Sequence, residues 1–459
     1  MPHRQEAELL YNDYTITIAA RQGPGYPVSA VAEGMGRASD VLPDPPEELT
    51  AQIAHIEELP PGIEHGELLT AIGAGLFRWL TSHIEMHLRL AWDRAEQQKR
   101  GLRLRFSIDA PEINAWPWEL LHDPERDFTF STSITTPVVR YLDQSNHFGG
   151  LADMKTDLPL EMLVVLPQAP DLNLVKERAV IEQAVALLDP PLLMHVLDGT
   201  VTRARFADVL ISGHYEIVHG SGHGGFVDGQ GYIALNQPDG QPDFVDGQIL
   251  ARFVANCKML KLAVLNVCSS GKVDEARAFQ GLAPQLVRAG VPAVVAMQYP
   301  LTDDAAMAFA EEFYRRLCMG ENAGRVDVAV THARNLLAIL YPDNRCFAAP
   351  VVYTRAPDGV IFTLKDQTTA PVTSGNGKKV QRAGGLSESL QASAAFEDDL
   401  ALAERDLLES WRRALSQAAE DYQRHLSEPN PEIHEAARQG LVVLRRRLSA
   451  IDTRLSASQ

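Results

Sequence analysis

A chain of 459 residues is longer than one compact core sustains and predicts two or three domains. Its 45% hydrophobic and 22% charged residues are those of an ordinary globular protein. The formal net charge of -18 argues against nucleic acid or an anionic membrane as a partner, since both demand clustered Lys and Arg, and weakly favours a basic protein substrate.

Met1 to Glu8 lack the apolar core of a signal peptide, and no apolar run approaches the ~20 residues that span a bilayer, so a cytoplasmic location is expected. Tyr14 to Ile18 and Leu102 to Ile108 alternate with strand period. Between them, Leu42-Pro43-Asp44-Pro45-Pro46 reads as a surface loop. The stretch from Leu68 to about Gln98 carries Phe77, Leu80, Ile84, Leu88 and Ala91 on one side at steps of three and four, which predicts one long amphipathic helix. Residues 1–150 are expected to form a smaller N-terminal α/β domain.

From 158 to 365 strands alternate with helices. Strands are expected at Glu161–Leu166, Leu192–Leu197, Tyr215–His219, Leu260–Val267, Val294–Met297 and Ala349–Tyr353, with helices between them at Val175–Leu188, Thr202–Ile211, Gly247–Asn256, Asp274–Arg288, Asp303–Met319 and Asp327–Leu340. That alternation gives an α/β fold, a doubly wound and mostly parallel sheet with helices on both faces.

Residues 366–392, rich in Thr, Ser, Gly, Ala and Lys, cannot bury enough apolar surface to order themselves and read as a flexible linker. Residues 393–459 read as a helical hairpin. Its second arm repeats Leu441, Leu444, Leu448, Ile451 and Leu455 at coiled-coil seam spacing, and Pro429 and Pro431 part the arms.

Two of the expected strands end on chemistry. One runs into Gly220-Ser221-Gly222-His223-Gly224-Gly225, the other ends on Cys268-Ser269-Ser270-Gly271. Neighbouring strands of an open α/β sheet share one crevice at their carboxyl ends, where an imidazole could activate a thiol. A helix is expected after Ser269-Ser270-Gly271, and its positive end near Cys268, with a nearby His, would help lower the thiol pKa. The plainer reading makes Cys268 a small apolar residue and His223 a loop residue, and it is outweighed only by the pairing at two strand ends together with the match of the flanking residues to a known family. His214 and His219 could compete with His223, yet they lie before or within the strand, where a core role is expected. Cys257, Cys318 and Cys346 have no such His block beside them, and the four cysteines lack disulfide or metal-ligand spacing. Gly220-x-Gly222-x-x-Gly225 matches a dinucleotide fingerprint formally, but a strand, not a helix, is expected after it.

The blocks Gly222-His223-Gly224 and Cys268-Ser269-Ser270-Gly271 resemble those of the caspase-like cysteine peptidases, and most closely their CHAT branch. Ala115 to Leu121, Pro137 to Leu142 and Ala289 to Ala296 are similar to the segments flanking that core, so the resemblance covers about 70 to 365. It departs at Ser269, often acidic in that branch. The resemblance implies a caspase-like peptidase core at 158–365 and a pseudo-caspase-like character for residues 1–150. It implies His223 and Cys268 as catalytic dyad, the amides of Gly224 and Cys268 as oxyanion donors, and no cofactor or metal. It also implies that Asp303 or Asp304 contacts a basic substrate side chain, whereas the plainer reading is an N-cap pair. The expected function is cleavage of a partner protein, in the bacterial conflict or regulated-death setting common to that branch, with residues 393–459 taking an activating or oligomerising partner. The competing expectation is a silent scaffold acting through that helical module.

Overall fold

The structure, a computed structural model, describes residues 9–63, 65–142, 155–156, 159–169, 172–186, 188, 192–227, 230–267 and 273–364. Strict alternation makes β1 (Tyr11–Ile18): Tyr14, Ile16 and Ile18 are wholly buried, while Asp13, Thr15 and Thr17 remain half-buried. β2 (Gly25–Ala32) and β3 (Arg37–Pro43) follow antiparallel. The surface loop expected at Leu42 to Pro46 is corrected here, because Leu42 and Pro43 end β3 with Leu42 buried; Pro43 is tolerated because β3 is an edge strand.

α1 (Glu47–Glu58), α2 (Gly66–Thr81) and α3 (Glu85–Gln97) precede β4 (Gly101–Ile108). The single helix expected from Leu68 to Gln98 is thus two. Thr81 and Ser82 donate their hydroxyls to the carbonyls of Phe77 at 2.6 Å and Trp79 at 2.9 Å, a local alternative to helical bonding, and the chain breaks before Glu85. The apolar side survives the break, since Phe77, Leu80, Ile84, Leu88 and Ala91 are all buried. α4 (Pro111–Asn114) and a short hairpin, β5 (His122–Asp123) with β6 (Phe128–Thr129), lead to β7 (Val138–Tyr141), parallel to β4.

After β8 (Lys155–Thr156) come β9 (Glu161–Pro167), α5 (Leu174–Ala186), β10 (Leu193–Gly199), α6 (Arg203–Ser212) and β11 (Ile217–Gly222). β12 (Gly224–Val227), β13 (Gln230–Asn236) and β14 (Pro242–Asp246) form a separate antiparallel meander before α7 (Gly247–Val254), β15 (Leu262–Val267) and α8 (Val273–Arg288). β16 (Ala293–Met297), α9 (Asp303–Cys318), α10 (Val326–Leu340), β17 (Pro350–Thr354) and β18 (Thr363–Leu364), which pairs with β8, complete the described chain.

One sheet of eleven strands, in the order β10-β9-β11-β15-β16-β17-β7-β4-β1-β2-β3, joins both halves. Met162 to Leu166 of β9 are all buried, as a strand covered on both faces requires. β10, β9, β11, β15 and β16 run parallel; β17 runs against β16 but with β7, β4 and β1. The carboxyl ends of the two halves therefore lie at opposite edges of the sheet. The linker and helical hairpin expected at 366–392 and 393–459 lie outside the described residues. Among the described residues no helix is long and apolar enough to cross a membrane.

Candidate active site

β11 runs further than the sequence pattern predicts, through Gly220 and Ser221 to Gly222. His223 is the next residue, half-buried, and its carbonyl accepts the amide of Ala234 at 2.9 Å, which ties the turn out of β11 to β13. Gly224 opens β12 opposite Ile233. Two glycines of the formal dinucleotide fingerprint are therefore strand residues of β11 and the third lies in β12, and no helix opens there to hold a pyrophosphate.

The β11–β15 ladder is parallel with a constant offset of 45 residues, from Ile217 opposite Leu262 to Gly222 opposite Val267. Cys268, both as the expected nucleophile and as an oxyanion donor, lies outside the described residues, with Ser269, Ser270 and Gly271.

Alternation splits β11 between two environments. Val218, Gly220 and Gly222 border a cleft under α6, α7 and α8. His219 and Ser221 direct their side chains to partners on the other face, although Ser221 also borders the cleft. His219 is buried, its Nδ1 lies 2.6 Å from the Tyr314 hydroxyl of α9, and burial holds its pKa down at about 4. Its Nε2 has no hydrogen-bond partner among the described residues, so the core role expected for it is only half satisfied. His214 is exposed ahead of β11, away from the strand's carboxyl end.

Ser221 and Asn266 face each other across the ladder, and both hold Glu177 in the first turn of α5. The Asn266 amide donates to Glu177 Oε1 at 2.6 Å, and the Ser221 hydroxyl also bonds the carboxylate. Burial pushes the Glu177 carboxyl above its usual range against these two bonds, and the charge of Asp303 adds to the rise. Sequence reasoning missed Glu177, because an acid in a first turn looks like any residue complementing the helix dipole.

Asp303 and Asp304 occupy the first turn of α9 but do not cap it; the Thr302 hydroxyl does, accepting the Ala305 amide at 3.4 Å. Asp303 is ion-paired with Lys176, the residue before Glu177, and Asp304 is exposed. Cys318 and Cys346 are free thiols that burial pushes up to about 12, and the half-buried Cys257 is also raised by burial.

The segment around Trp116 and Trp118 carries a buried charge. Glu119 accepts Arg140 Nη2 at 2.8 Å and Gln298 Nε2 at 2.9 Å, with Arg334 at 3.8 Å. Burial alone would raise the Glu119 carboxyl, but Arg140 and Arg334 outweigh it and hold it low. Gln298 directly follows β16, so the first half of the sheet is wired to the end of a core strand.

The CHAT domain model matches residues 70–353. The chain belongs to the CHAT domain family. The match takes in His223, Gly224, Cys268, Asp303 and Asp304 of this CHAT chain. No curated protein matches it. Among solved structures, the Saccharomyces cerevisiae separase–securin complex is similar at 12% identity and a TM-score of 0.42, covering 74% of this chain and 30% of that one. The Arg-specific cysteine proteinase gingipain R is similar at 11% identity and a TM-score of 0.37, covering 62% and 68%. The CHAT chain thus spans less than a third of the separase chain.

Proposed function

We propose that this CHAT protein is a cysteine endopeptidase that cuts a partner protein with the dyad His223 and Cys268. The observation that carries the reading is the ladder: β11 and β15 are offset by 45 residues, His223 follows β11, and Cys268 is 45 residues further on. In this reading the thiolate of Cys268 attacks the scissile carbonyl, and His223, its ion-pair partner, protonates the leaving amine. Water then releases the acyl group and regenerates the thiol. The amides of Gly224 and Cys268 receive the oxyanion, one such donor being worth about 3 to 4 kcal/mol in measured serine peptidases.

Asp303 and Asp304 serve in this reading as acids for a basic substrate side chain, whose cation would replace Lys176 on Asp303. The chain divides into the N-terminal α/β domain 1–150, the peptidase core 158–365, the linker 366–392 and the module 393–459, which takes an activating or oligomerising partner. The setting is cytoplasmic conflict or regulated cell death. A thiol-directed peptidyl electrophile should label Cys268 ahead of Cys257, Cys318 and Cys346, whose thiols are held protonated by burial. Cys268→Ala and His223→Ala should each abolish cleavage, and the double variant should lose little more, since dyad members act as a unit. Cleavage surviving in Cys268→Ala would end the assignment.

A further inference from the structure

The cleft under β11 is partly open to solvent and has a cavity volume of about 50 Å³. Val165, Pro167, Phe206, Ile233, Leu250 and Leu265 are among its walls, and among the described residues His223, which follows β11, is the one titratable group in the lining. Gly220 and Gly222 keep the space open. A Cβ built on Gly220 meets nothing nearer than Leu265 Cδ2 at 3.8 Å, and one on Gly222 nothing nearer than Pro167 Cδ at 3.6 Å, so neither glycine is required by a close backbone approach. Their φ angles are not positive either, so no turn demands them. Two glycines inside a buried strand weaken it. What they supply here is a vacant apolar floor beside His223.

Among the described residues of the lining no carboxylate, Lys or Arg offers a charged side chain a partner, so such a group would lose its hydration on entering. Aliphatic and aromatic groups gain from the same burial. The acids Glu177 and Asp303 lie across the sheet, on the side of α5 and α9. We propose that the cleft is a substrate subsite for an uncharged aliphatic or aromatic side chain close to the bond that is cut, separate from the acids on the other face. It rests on the peptidase reading for its link to cleavage, though not for binding itself.

The full-length Cys268→Ala protein can be titrated calorimetrically with blocked hexapeptide amides carrying Leu, Phe, Lys or Glu at one position at a time. At one position Leu and Phe should bind at least about tenfold tighter than Lys or Glu, since even one methylene in such a pocket is worth roughly 10- to 200-fold. Gly220→Val, which grows into the cleft, should remove the preference for Phe, and Ile233→Ala, which widens it, should extend the preference to Trp. Equal affinity for apolar and charged peptides at every position, or a preference unmoved by both substitutions in folded protein, overturns the subsite. The same peptides offered to the wild type separate the two claims. Selective binding without cleavage removes the peptidase reading and keeps the subsite, whereas cleavage indifferent to apolar residues does the reverse.

Discussion

His219 should make this protein lose stability on acidification below about pH 6.5. Its pKa falls from 6.5 to about 4 because the ring is buried against Tyr314, with Cys318 next along α9 and, among the described residues, no carboxylate bonded to it. In the unfolded chain the same ring titrates near its ordinary value, so between the two the unfolded state binds the extra proton. The contribution is complete above pH 6.5 and is lost as pH falls toward 4. At 1.36 kcal/mol per unit, the loss relative to pH 7.5 is about 2 kcal/mol at pH 5 and about 3 kcal/mol at pH 4. His219→Leu removes the titration and leaves other groups in place. Urea unfolding of both proteins at pH 7.5, 6, 5 and 4 isolates the effect as the change in their difference. Parallel curves across that range would refute the argument, and would mean that the ring is hydrated or paired in solution.

Glu177 has the opposite sign: its carboxyl is raised in the folded state, so its contribution is full below the usual Glu range and is lost as pH rises. Glu177→Gln should therefore be more stable than wild type in thermal melts at pH 7.5, with the gap closing near pH 4; a gap independent of pH would count against it. Glu119→Gln strands Arg140 and Arg334 in the interior and should cost about 3 to 5 kcal/mol in urea unfolding, whereas a cost under ~1 kcal/mol would show that water replaces the carboxylate. Truncation after Leu364 should leave small-peptide hydrolysis nearly unchanged while weakening cleavage or assembly with the protein target. Loss of peptide hydrolysis in a folded truncation would show that the C-terminal module completes the site.

The core was legible because its strands are short, apolar and bounded by turn residues, a pattern that needs no partner to be read. α5 to α10, β9 to β11 and β15 to β17 all fall within a few residues of where periodicity puts them. The first half was less so. β2 alternates between buried and partly exposed positions in the structure, but its Gly, Pro, Ser and Ala residues dilute that pattern in the sequence, and β3 is exposed on most positions. The break between α2 and α3 coincides with two hydroxyls, of Thr81 and Ser82, that bond backbone carbonyls of α2, a choice of acceptor no periodicity records. In the site, His223 could be found because glycines surround it. Glu177 could not, because its role depends on Ser221 and Asn266, each ordinary in its own segment and paired only by strand register.

That register also explains why one short strand can serve two chemistries. Side chains alternate along β11, so successive residues need not share an environment. The positions that face α5 and α9 carry polar groups, and each has a partner there: His219 has Tyr314, Ser221 has Glu177. The positions facing α6 to α8 carry a valine and then two glycines, which border the cleft and could each take a Cβ at ordinary van der Waals distance from its neighbours. Filling that space with larger residues would bury more apolar area and stabilise the domain at about 25 cal/mol per Å². A strand that forgoes this stabilisation only on the side open to a ligand, and only over the residues leading to His223, is shaped by binding more than by folding.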